Sequence, residues 1–521
     1  MKKYYFIFIF ILFIPKGSYS QGGFKSNIVL PYSKLHKGYG IIETTNGNYL
    51  HVGIVVDTLN GYQTNRLCIL NLNSNNQVNW VKKYGNSKFV YNDNFYNINW
   101  IKKIQNNNYV IASTIDSNLI NAGALIKINN TGDTIWQSKF KNSTNDIILI
   151  NDVINSNDNG LLLTGAVYTD STALLLIIKT SNNGKELWRK IINKSTNNGP
   201  DYQIGMVIAQ DSITKRIVIG GTQMIGNSTN WNQHCNIVIT DSLGNFLNRK
   251  TFATNTAGVI CSLIQCKDGK FIVSGGINYG ETFNTFKLNY GYVAKFDLED
   301  INPIWQKKYM DEKSPYNAYT KIIEESNGNI TVAGSQDTCF TKNLPFNLMS
   351  KITKLDKDGN LINKKYYNYN PHFNSTPQSA FLLNLYGFNK TSDNGYISCF
   401  YDQNGSAPRK FFIVKYDSLG CDTTAAYCAT VGFKEQNYQA IDVSIYPQPA
   451  KQFINLQSVL FANKKAQVNI SNAIGQICYN ASVQFNNGNS QLNLANLPKG
   501  IYFLKLVDED LRSFSSKIVL E

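Results

Sequence analysis

The chain has 521 residues, 12% of them aromatic, and a formal net charge of +15 at pH 7. A chain of this length can bury a large core and is long for a single ordinary domain. Its lysines and arginines are scattered singly, and no run of basic residues forms a track. The charge therefore predicts a solvated basic surface and no nucleic-acid partner.

The N-terminus, residues 1–20, has the pattern of a secretory signal peptide. Two lysines precede an apolar stretch from Tyr4 to Pro15, and small residues follow it. This stretch is too short for a stable membrane anchor but is typical of a secretory signal, with cleavage expected between Ser20 and Gln21. No later segment is apolar for long enough to form a membrane helix. We therefore predict an exported mature chain without a transmembrane segment.

The sequence then becomes repetitive. "LIKINNTGDTIWQSKF" (125–140) and "LIIKTSNNGKELWRKI" (176–191) share an aliphatic run, a polar turn with glycine and a later tryptophan. A second element, a polar turn followed by a short strand, recurs about every 55 residues. Its seven copies place one equivalent position at Tyr49, Tyr109, Leu161, Ile217, Phe271, Ile330 and Tyr396. Each repeat contains about four strand-like runs and no sustained helical period.

Repeats of about this length with four strands are typical of propeller blades. We therefore predict an all-β chain in which residues 21–430 form a seven-bladed β-propeller. The seventh repeat lacks an outer strand, and segment 24–33 is expected to supply it and so remove an exposed sheet edge. A tryptophan occupies one slot in four repeats and is expected to fill the wedge between diverging blades. These residues are Trp80, Trp136, Trp188 and Trp305.

The repeats resemble those of known propeller families. A glycine followed by a tryptophan four residues later resembles the quinoprotein repeat, and the Gly-Gly pairs at 220–221 and 275–276 resemble kelch-like blades. Quinoprotein enzymes use adjacent cysteines, acidic calcium ligands and a catalytic aspartate, and this sequence has no adjacent cysteine pair. The resemblance thus implies the fold and assigns no chemistry.

The sequence changes character after a predicted linker at residues 431–440. Residues 441–521 have alternating strands typical of a small β-sandwich, and contain "SIYPQPA", "NAIGQ", "LPKGIYFLKL" and a closing lysine-aliphatic strand. In this order the motifs resemble the type A C-terminal sorting domain of type IX secretion (Por system) cargo, although Gln448 stands where asparagine is usual. The residues that carry the resemblance are Tyr446, Pro447, Pro449, Gly500, Tyr502 and Lys517.

The resemblance to a sorting domain implies a location and a partner. It implies an immunoglobulin-like sandwich that the type IX secretion machinery carries across the outer membrane of a Gram-negative cell. The exported chain would then be attached to the cell surface or released. An ordinary immunoglobulin-like accessory domain is the alternative interpretation.

The nine cysteines are an odd set for an exported protein. Most of them lie alone in apolar strand-like runs and are expected to be small buried hydrophobes. Cys421 and Cys428 flank a short polar segment and are the best local disulfide candidate in an oxidising compartment. No cysteine pair has the spacing of a zinc site, so we assign no metal ligand.

The sequence gives no catalytic motif. It has four histidines and no HExxH, GxSxG or phosphate-binding loop. His51 lies in a strand-like run and is expected in the core. His234 and Cys235 are adjacent, so in a strand they would point to opposite faces and could not act as a pair. No catalytic residue and no cofactor is therefore assigned.

The predicted function is non-enzymatic binding or adhesion by an exported propeller, with a glycan or protein as ligand. Segments 221–236 and 276–291 are expected to be long loops rich in aromatics and amides, which suits such surfaces. Trp231, Tyr279 and Tyr290 are the candidate ligand contacts, although Trp231 could equally pack under its own loop. The alternatives are an extracellular polysaccharide-acting hydrolase and a structural surface protein.

Overall fold

The computed structural model divides the chain into two compact units, Met1–Ala425 and Ala426–Glu521. The predicted signal peptide, the predicted linker and Cys428 lie outside the residues that the structure describes. The described residues are 23–30, 33–59, 62–85, 90–92, 100–117, 120–142, 146–169, 172–192, 202–227, 230–252, 258–283, 286–300, 302–309, 317–337, 348–367, 383–402, 410–422, 443–458, 464–472, 477–508 and 513–521.

The first unit is built from one antiparallel sheet for each sequence repeat, and a parallel contact between Ala173 and Tyr202 joins the sheets of the third and fourth repeats. We call these sheets blades and number them along the chain after an initial strand, β1 (Phe24–Ile28). The strands of blades 1 to 3 are β2 (Ser33–Glu43), β3 (Tyr49–Leu59), β4 (Tyr62–Leu72) and β5 (Val78–Tyr84); β6 (Val90–Asn92), β7 (Ile101–Lys103), β8 (Tyr109–Ser117), β9 (Ile120–Ile128) and β10 (Thr134–Phe140); β11 (Ile147–Asn155), β12 (Leu161–Tyr168), β13 (Ala173–Thr180) and β14 (Glu186–Ile192).

Blades 4 to 7 repeat this pattern, and β6 and β7 of blade 2 share one strand position because both pair with β8. The strands of blades 4 to 7 are β15 (Tyr202–Gln210), β16 (Ile217–Asn227), β17 (Asn230–Thr240) and β18 (Phe246–Phe252); β19 (Gly258–Gln265), β20 (Phe271–Phe283), β21 (Phe286–Phe296) and β22 (Pro303–Tyr309); β23 (Asn317–Glu324), β24 (Ile330–Asp337), β25 (Leu348–Leu355) and β26 (Leu361–Tyr367); β27 (Leu383–Lys390), β28 (Tyr396–Asp402) and β29 (Phe411–Tyr416).

The N-terminal strand completes the last blade. β1 pairs antiparallel with β29, from Phe24 opposite Lys415 to Ile28 opposite Phe411. The sheet order of blade 7 is therefore β1-β29-β28-β27, and β1 is its fourth strand. This confirms the predicted role of segment 24–33, because the N-terminus covers an edge that β29 would otherwise expose.

The apolar cores lie between blades. Among the described residues, seven apolar clusters join consecutive blades; one of them extends over blades 3 to 5, and another joins blade 7 to blade 1. In that last cluster Ile397 and Ile413 of blade 7 pack with Ile41 and Leu70 of blade 1. A single blade cannot bury both of its faces, so the blades cover one another in a closed ring. The described residues of this unit form a β-propeller, as predicted.

The four tryptophans of the repeat join consecutive blades. A Cβ atom added to Gly184 in blade 3 would lie 2.5 Å from Cζ3 of Trp136 in blade 2. Gly184 has a φ of 76°, so glycine provides both the turn conformation and the flat surface against which the indole packs. The prediction that the tryptophans fill the wedges is confirmed. The four pairs are Trp80–Gly132, Trp136–Gly184, Trp188–Gly244 and Trp305–Gly359.

The second unit is a small β-sandwich with its own core. Apolar side chains from both sheets, including Ile454, Leu492, Val468 and Leu504, pack together between the sheets. In β35 buried and exposed residues alternate, as expected of a sheet with one face on a core. One sheet contains β30 (Ser444–Tyr446), β31 (Phe453–Gln457) and β34 (Asn489–Asn493), and the other β33 (Ile477–Gln484), β32 (Lys465–Asn472), β35 (Gly500–Asp508) and β36 (Ser513–Leu520).

Candidate functional site

The inner strands of the seven blades surround the centre of the ring, and most of them carry a β-bulge. The pairing register shifts within β2, β11, β15, β19, β23 and β27, between the inner strand and its neighbour. A bulge bends a strand and changes the direction of the side chains beside it. The residues that follow the bulges can therefore present polar groups near the centre of the ring.

Blades 2 and 3 form an ion pair between their inner strands, next to the bulge of β11. Lys102 Nζ of β7 lies 3.0 Å from Asp152 Oδ1, and the Asp152 side chain is only 6% exposed. The other carboxylate oxygen, Oδ2, accepts a hydrogen bond of 3.1 Å from the backbone N–H of Ile208 in blade 4. A buried carboxylate needs such partners. Asp152 therefore links three consecutive blades.

Blade 6 contributes a second lysine, Lys321. It follows the bulge of β23, as Asp152 follows the bulge of β11. Burial lowers the pKa of Lys321 to about 7; the positive charge of Lys102 lowers it further, and the negative charge of Asp152 opposes this. Within the described part of the chain, Lys321 makes no hydrogen bond or ion pair. Its amine is therefore able to gain or lose a proton near neutral pH.

The described histidines have structural positions. His51 is fully buried, its Nδ1 lies 3.0 Å from the carbonyl oxygen of Gly40, and burial lowers its pKa to about 3. This confirms His51 as a core residue, neutral at physiological pH. His234 is buried beside Cys235, and burial raises the pKa of the Cys235 thiol far above its usual range. A thiol in this environment is not a nucleophile.

The segments predicted as long loops are strands, and this expectation was wrong. Residues 217–227 and 230–240 form the hairpin β16–β17, and residues 271–283 and 286–296 form the hairpin β20–β21. Outward-facing polar residues are compatible with antiparallel strands, so a polar, asparagine-rich sequence does not exclude pairing.

The three candidate ligand contacts lie on these hairpins. Trp231 is opposite Gly226 near the end of the first hairpin, and Tyr279 lies in β20; the side chains of both are outside the described part of the structure. Tyr290 is only 6% exposed, and Lys308 Nζ lies 5.3 Å from the centre of its ring. Tyr290 is therefore packed into blade 5, and the roles of Trp231 and Tyr279 stay predictions.

The motif residues of the second unit connect its first and last strands. Gln448, the residue that departs from the usual motif, accepts a hydrogen bond of 2.9 Å at Oε1 from Val519 N of β36. Ala450 N donates to Val519 O at 2.8 Å, and Glu521 N donates to Ala450 O at 2.8 Å. Glutamine thus joins the motif segment to the closing strand.

Other motif residues lie on the surface or anchor a turn. Tyr446 is 44% exposed, and both Pro447 and Pro449 follow cis peptide bonds. Tyr502 is buried, and its hydroxyl donates a hydrogen bond of 2.8 Å to the carbonyl of Pro498 just before the Gly500 turn. Lys517 is opposite Phe503 and exposed.

The predicted disulfide involves a cysteine outside the described residues. Cys421 is buried in the propeller unit, and its Sγ lies 2.8 Å from Lys365 Nζ. Its pairing with Cys428 stays a prediction. Among the described residues there is also no group of three or more His, Cys, Asp or Glu side chains that could hold a metal ion. No helix in the described ranges is long and apolar enough to span a membrane.

Sequence reasoning missed the charged residues at the centre of the ring. Lys102, Asp152 and Lys321 come from three different repeats and form no local motif. One feature of the sequence could have indicated them. Asp152 and Lys321 are charged residues within strand segments that are otherwise largely apolar, "ILINDVI" and "TKII". Only an alignment of the repeats against one another would place both at the same point of a blade.

Comparison with known proteins identifies the second unit. For the propeller it finds solved structures of low sequence identity. Residues 444–521 match the secretion system C-terminal sorting domain, and the sequence matches no curated protein. A PL25 ulvan lyase is similar in structure, with 9% identity, a TM-score of 0.46, and coverage of 77% of this chain and 95% of that one.

Two further solved structures show similarity of the same kind. The α-L-arabinanase of Penicillium chrysogenum has 11% identity and a TM-score of 0.37, and the match covers 60% of this chain and 91% of that one. The β-propeller domain of the trilobed protease from Pyrococcus furiosus has 9% identity and a TM-score of 0.37, with coverage of 76% and 94%.

Proposed function

We propose that this chain, whose C-terminal unit is a secretion system sorting domain, reaches the cell surface and binds a glycan or protein there without chemical turnover. The sorting domain directs export and implies the secretion machinery as a partner. The propeller is the cargo and would carry the ligand-binding face.

The observation that carries the binding proposal is the length of two adjacent hairpins. The second strand of blade 3, β12, has 8 residues, whereas β16 of blade 4 has 11 and β20 of blade 5 has 13. These strands begin at equivalent positions, and β20 has two extra residues in a register shift between Asn278 and Thr282. At roughly 3.3 Å per residue, both hairpins therefore extend about 10 Å beyond that of blade 3. Blades 4 and 5 also share an apolar core, so the two hairpins are neighbours.

Paired strands that project from a rigid scaffold present alternate side chains on a fixed surface. The projecting parts contain Trp231, Tyr279 and several amides, which stack on and hydrogen-bond to sugars or protein surfaces. The carboxylate at the centre of the ring, Asp152, is already held by Lys102 and the Ile208 amide. Both of its oxygens thus have partners within the protein, which favours binding over catalysis by this carboxylate.

The test is to replace Trp231 and Tyr279 by alanine in the full chain and to measure capture on glycan and cell-surface arrays. Loss of two stacking rings should weaken binding at least about tenfold. Tyr366→Ala on β26, which removes a 39% exposed ring in blade 6, is the matched control and should bind as the wild type does. Unchanged binding in the double variant would remove the hairpins from the site. Turnover of an arrayed polysaccharide would contradict the proposal and show that the protein is a hydrolase.

A further inference from the structure

The centre of the ring contains more positive charge than its own carboxylate balances. Lys102 and Asp152 form a pair at 3.0 Å, and the Asp152 oxygen that this pair leaves free accepts the Ile208 N–H. Lys321 has no hydrogen bond or ion pair among the described residues, although its neighbours on β23 are buried. One cationic amine is therefore left without a counter-charge in a place where desolvation makes such a charge costly.

Three other charged residues on the inner strands give the contrast. Glu43 accepts hydrogen bonds from the Ser392 N–H and hydroxyl, and Glu324 accepts one from the Lys267 N–H. Lys390 pairs with Glu325 at 2.5 Å. These three residues lie at the turn ends of their strands, and each is bonded to a partner. Lys321 differs from them because it lies deeper in the ring.

The position of Lys321 in its strand directs its side chain towards blade 7. Ile322 packs into the apolar core shared with blade 5, whereas Ile323 packs into the core shared with blade 7. Side chains alternate along a strand, so Lys321 lies on the same side as Ile323.

In a ring of seven blades, blade 6 lies across the centre from blades 2 and 3. Lys321 therefore lies on the opposite side of the ring from the Lys102–Asp152 pair, and the influence of both charges on its pKa agrees with an amine that extends from the blade 7 side of β23 into the central space. Two lysines and one aspartate around a common space form a site with one net positive charge. Lysine ammonium groups bind carboxylate, sulfate and phosphate oxygens through charge-assisted hydrogen bonds.

We infer that the centre of the propeller is a binding site for a small oxyanion, held by Lys321 together with Lys102 opposite it. The oxyanion is either a free inorganic ion or the acidic group of a sugar. The site is separate from the hairpins of blades 4 and 5 and would stand whether or not those hairpins bind a ligand.

The test is isothermal titration of the purified full chain at pH 6.5 with sodium sulfate and, separately, with sodium glucuronate, at constant ionic strength. Lys321→Met keeps the length of the side chain and removes its charge; we expect it to weaken oxyanion binding about 10- to 100-fold. Lys295→Met is the matched control, because Lys295 is 11% exposed but pairs with Asp268 away from the centre. It should bind as the wild type does. Tighter binding of glucuronate than of sulfate identifies an acidic sugar, and equal binding identifies a free ion.

A second measurement separates binding at Lys321 from binding elsewhere. Reductive ¹³C-methylation labels every lysine, and the Lys321 resonance should titrate near pH 7, apart from the other lysines. A bound oxyanion favours the charged amine, so it should move this titration upwards, and its affinity should fall as the pH rises through 7. No saturable binding by the wild type, or equal binding by Lys321→Met with its fold intact by circular dichroism, would overturn the inference.

Discussion

The contact between a tryptophan and the glycine of the next blade makes a quantitative prediction. In Gly184→Ala the new Cβ would lie 2.5 Å from Trp136 Cζ3, so the indole or the turn must move. The backbone φ of 76° adds a second cost, because an alanine in the left-handed region loses about 1–2 kcal/mol. Overpacking typically adds about 1–3 kcal/mol. We therefore expect Gly184→Ala to lower the free energy of unfolding by about 2–5 kcal/mol.

Gly47→Ala separates the two costs. Gly47 has the same φ of 76° in a turn with the same hydrogen-bond pattern, and a Cβ there would meet no atom within 4 Å. It should lose only the backbone part, about 1–2 kcal/mol. Urea denaturation followed by tryptophan fluorescence gives both values. Replacing Trp136 by leucine should reduce the excess loss in Gly184→Ala, because the clashing ring is gone. Equal losses in Gly184→Ala and Gly47→Ala would refute the packing argument.

Two further predictions concern export and acid stability. Deleting residues 441–521 should leave the propeller in the periplasm, because the predicted signal peptide leads only that far; cell fractionation tests this, and normal release of the truncated chain into the medium would contradict it. Burial lowers the pKa of His51 to about 3, below its unfolded value of about 6.5, so the unfolded chain binds more protons between these values. Stability should fall as the pH drops from 6.5 to 3, and His51→Gln should reduce that slope; an unchanged slope would argue against a buried neutral imidazole.

The sheets of the propeller were predictable because their strand pairs are local. Strands that are adjacent in a blade are mostly adjacent in the sequence, so a repeat of four strand-like runs already specifies the sheet. The closing strand was predictable for a different reason, because the last repeat was one strand short. The hairpins were mistaken for loops because their polar residues were taken as a sign of irregular structure, although strands that face solvent are also polar.

Contacts between repeats were harder to read. Gly132 and Trp136 are four residues apart and suggest a local motif, but the partner of Trp136 is Gly184 in the next repeat. One trace of this exists in the sequence: where Asn248 replaces the tryptophan of blade 4, the facing turn of blade 5, residues 297–302, has no glycine. The oxyanion site could not be read at all, since its charges come from blades 2, 3 and 6 and meet only when the ring is closed.

Because β1 pairs with β29, the propeller can close only after the last repeat has been synthesised. The first strand of the propeller has no partner until Phe411–Tyr416 has been synthesised, and the sorting domain at residues 444–521 follows later still. A chain that ends before Phe411 therefore lacks both the partner strand of β1 and the export signal. Every chain that presents the signal already contains all the strands needed to close the ring. The order of the two units thus acts as a check on completeness, and surface copies of the propeller should be free of truncated rings.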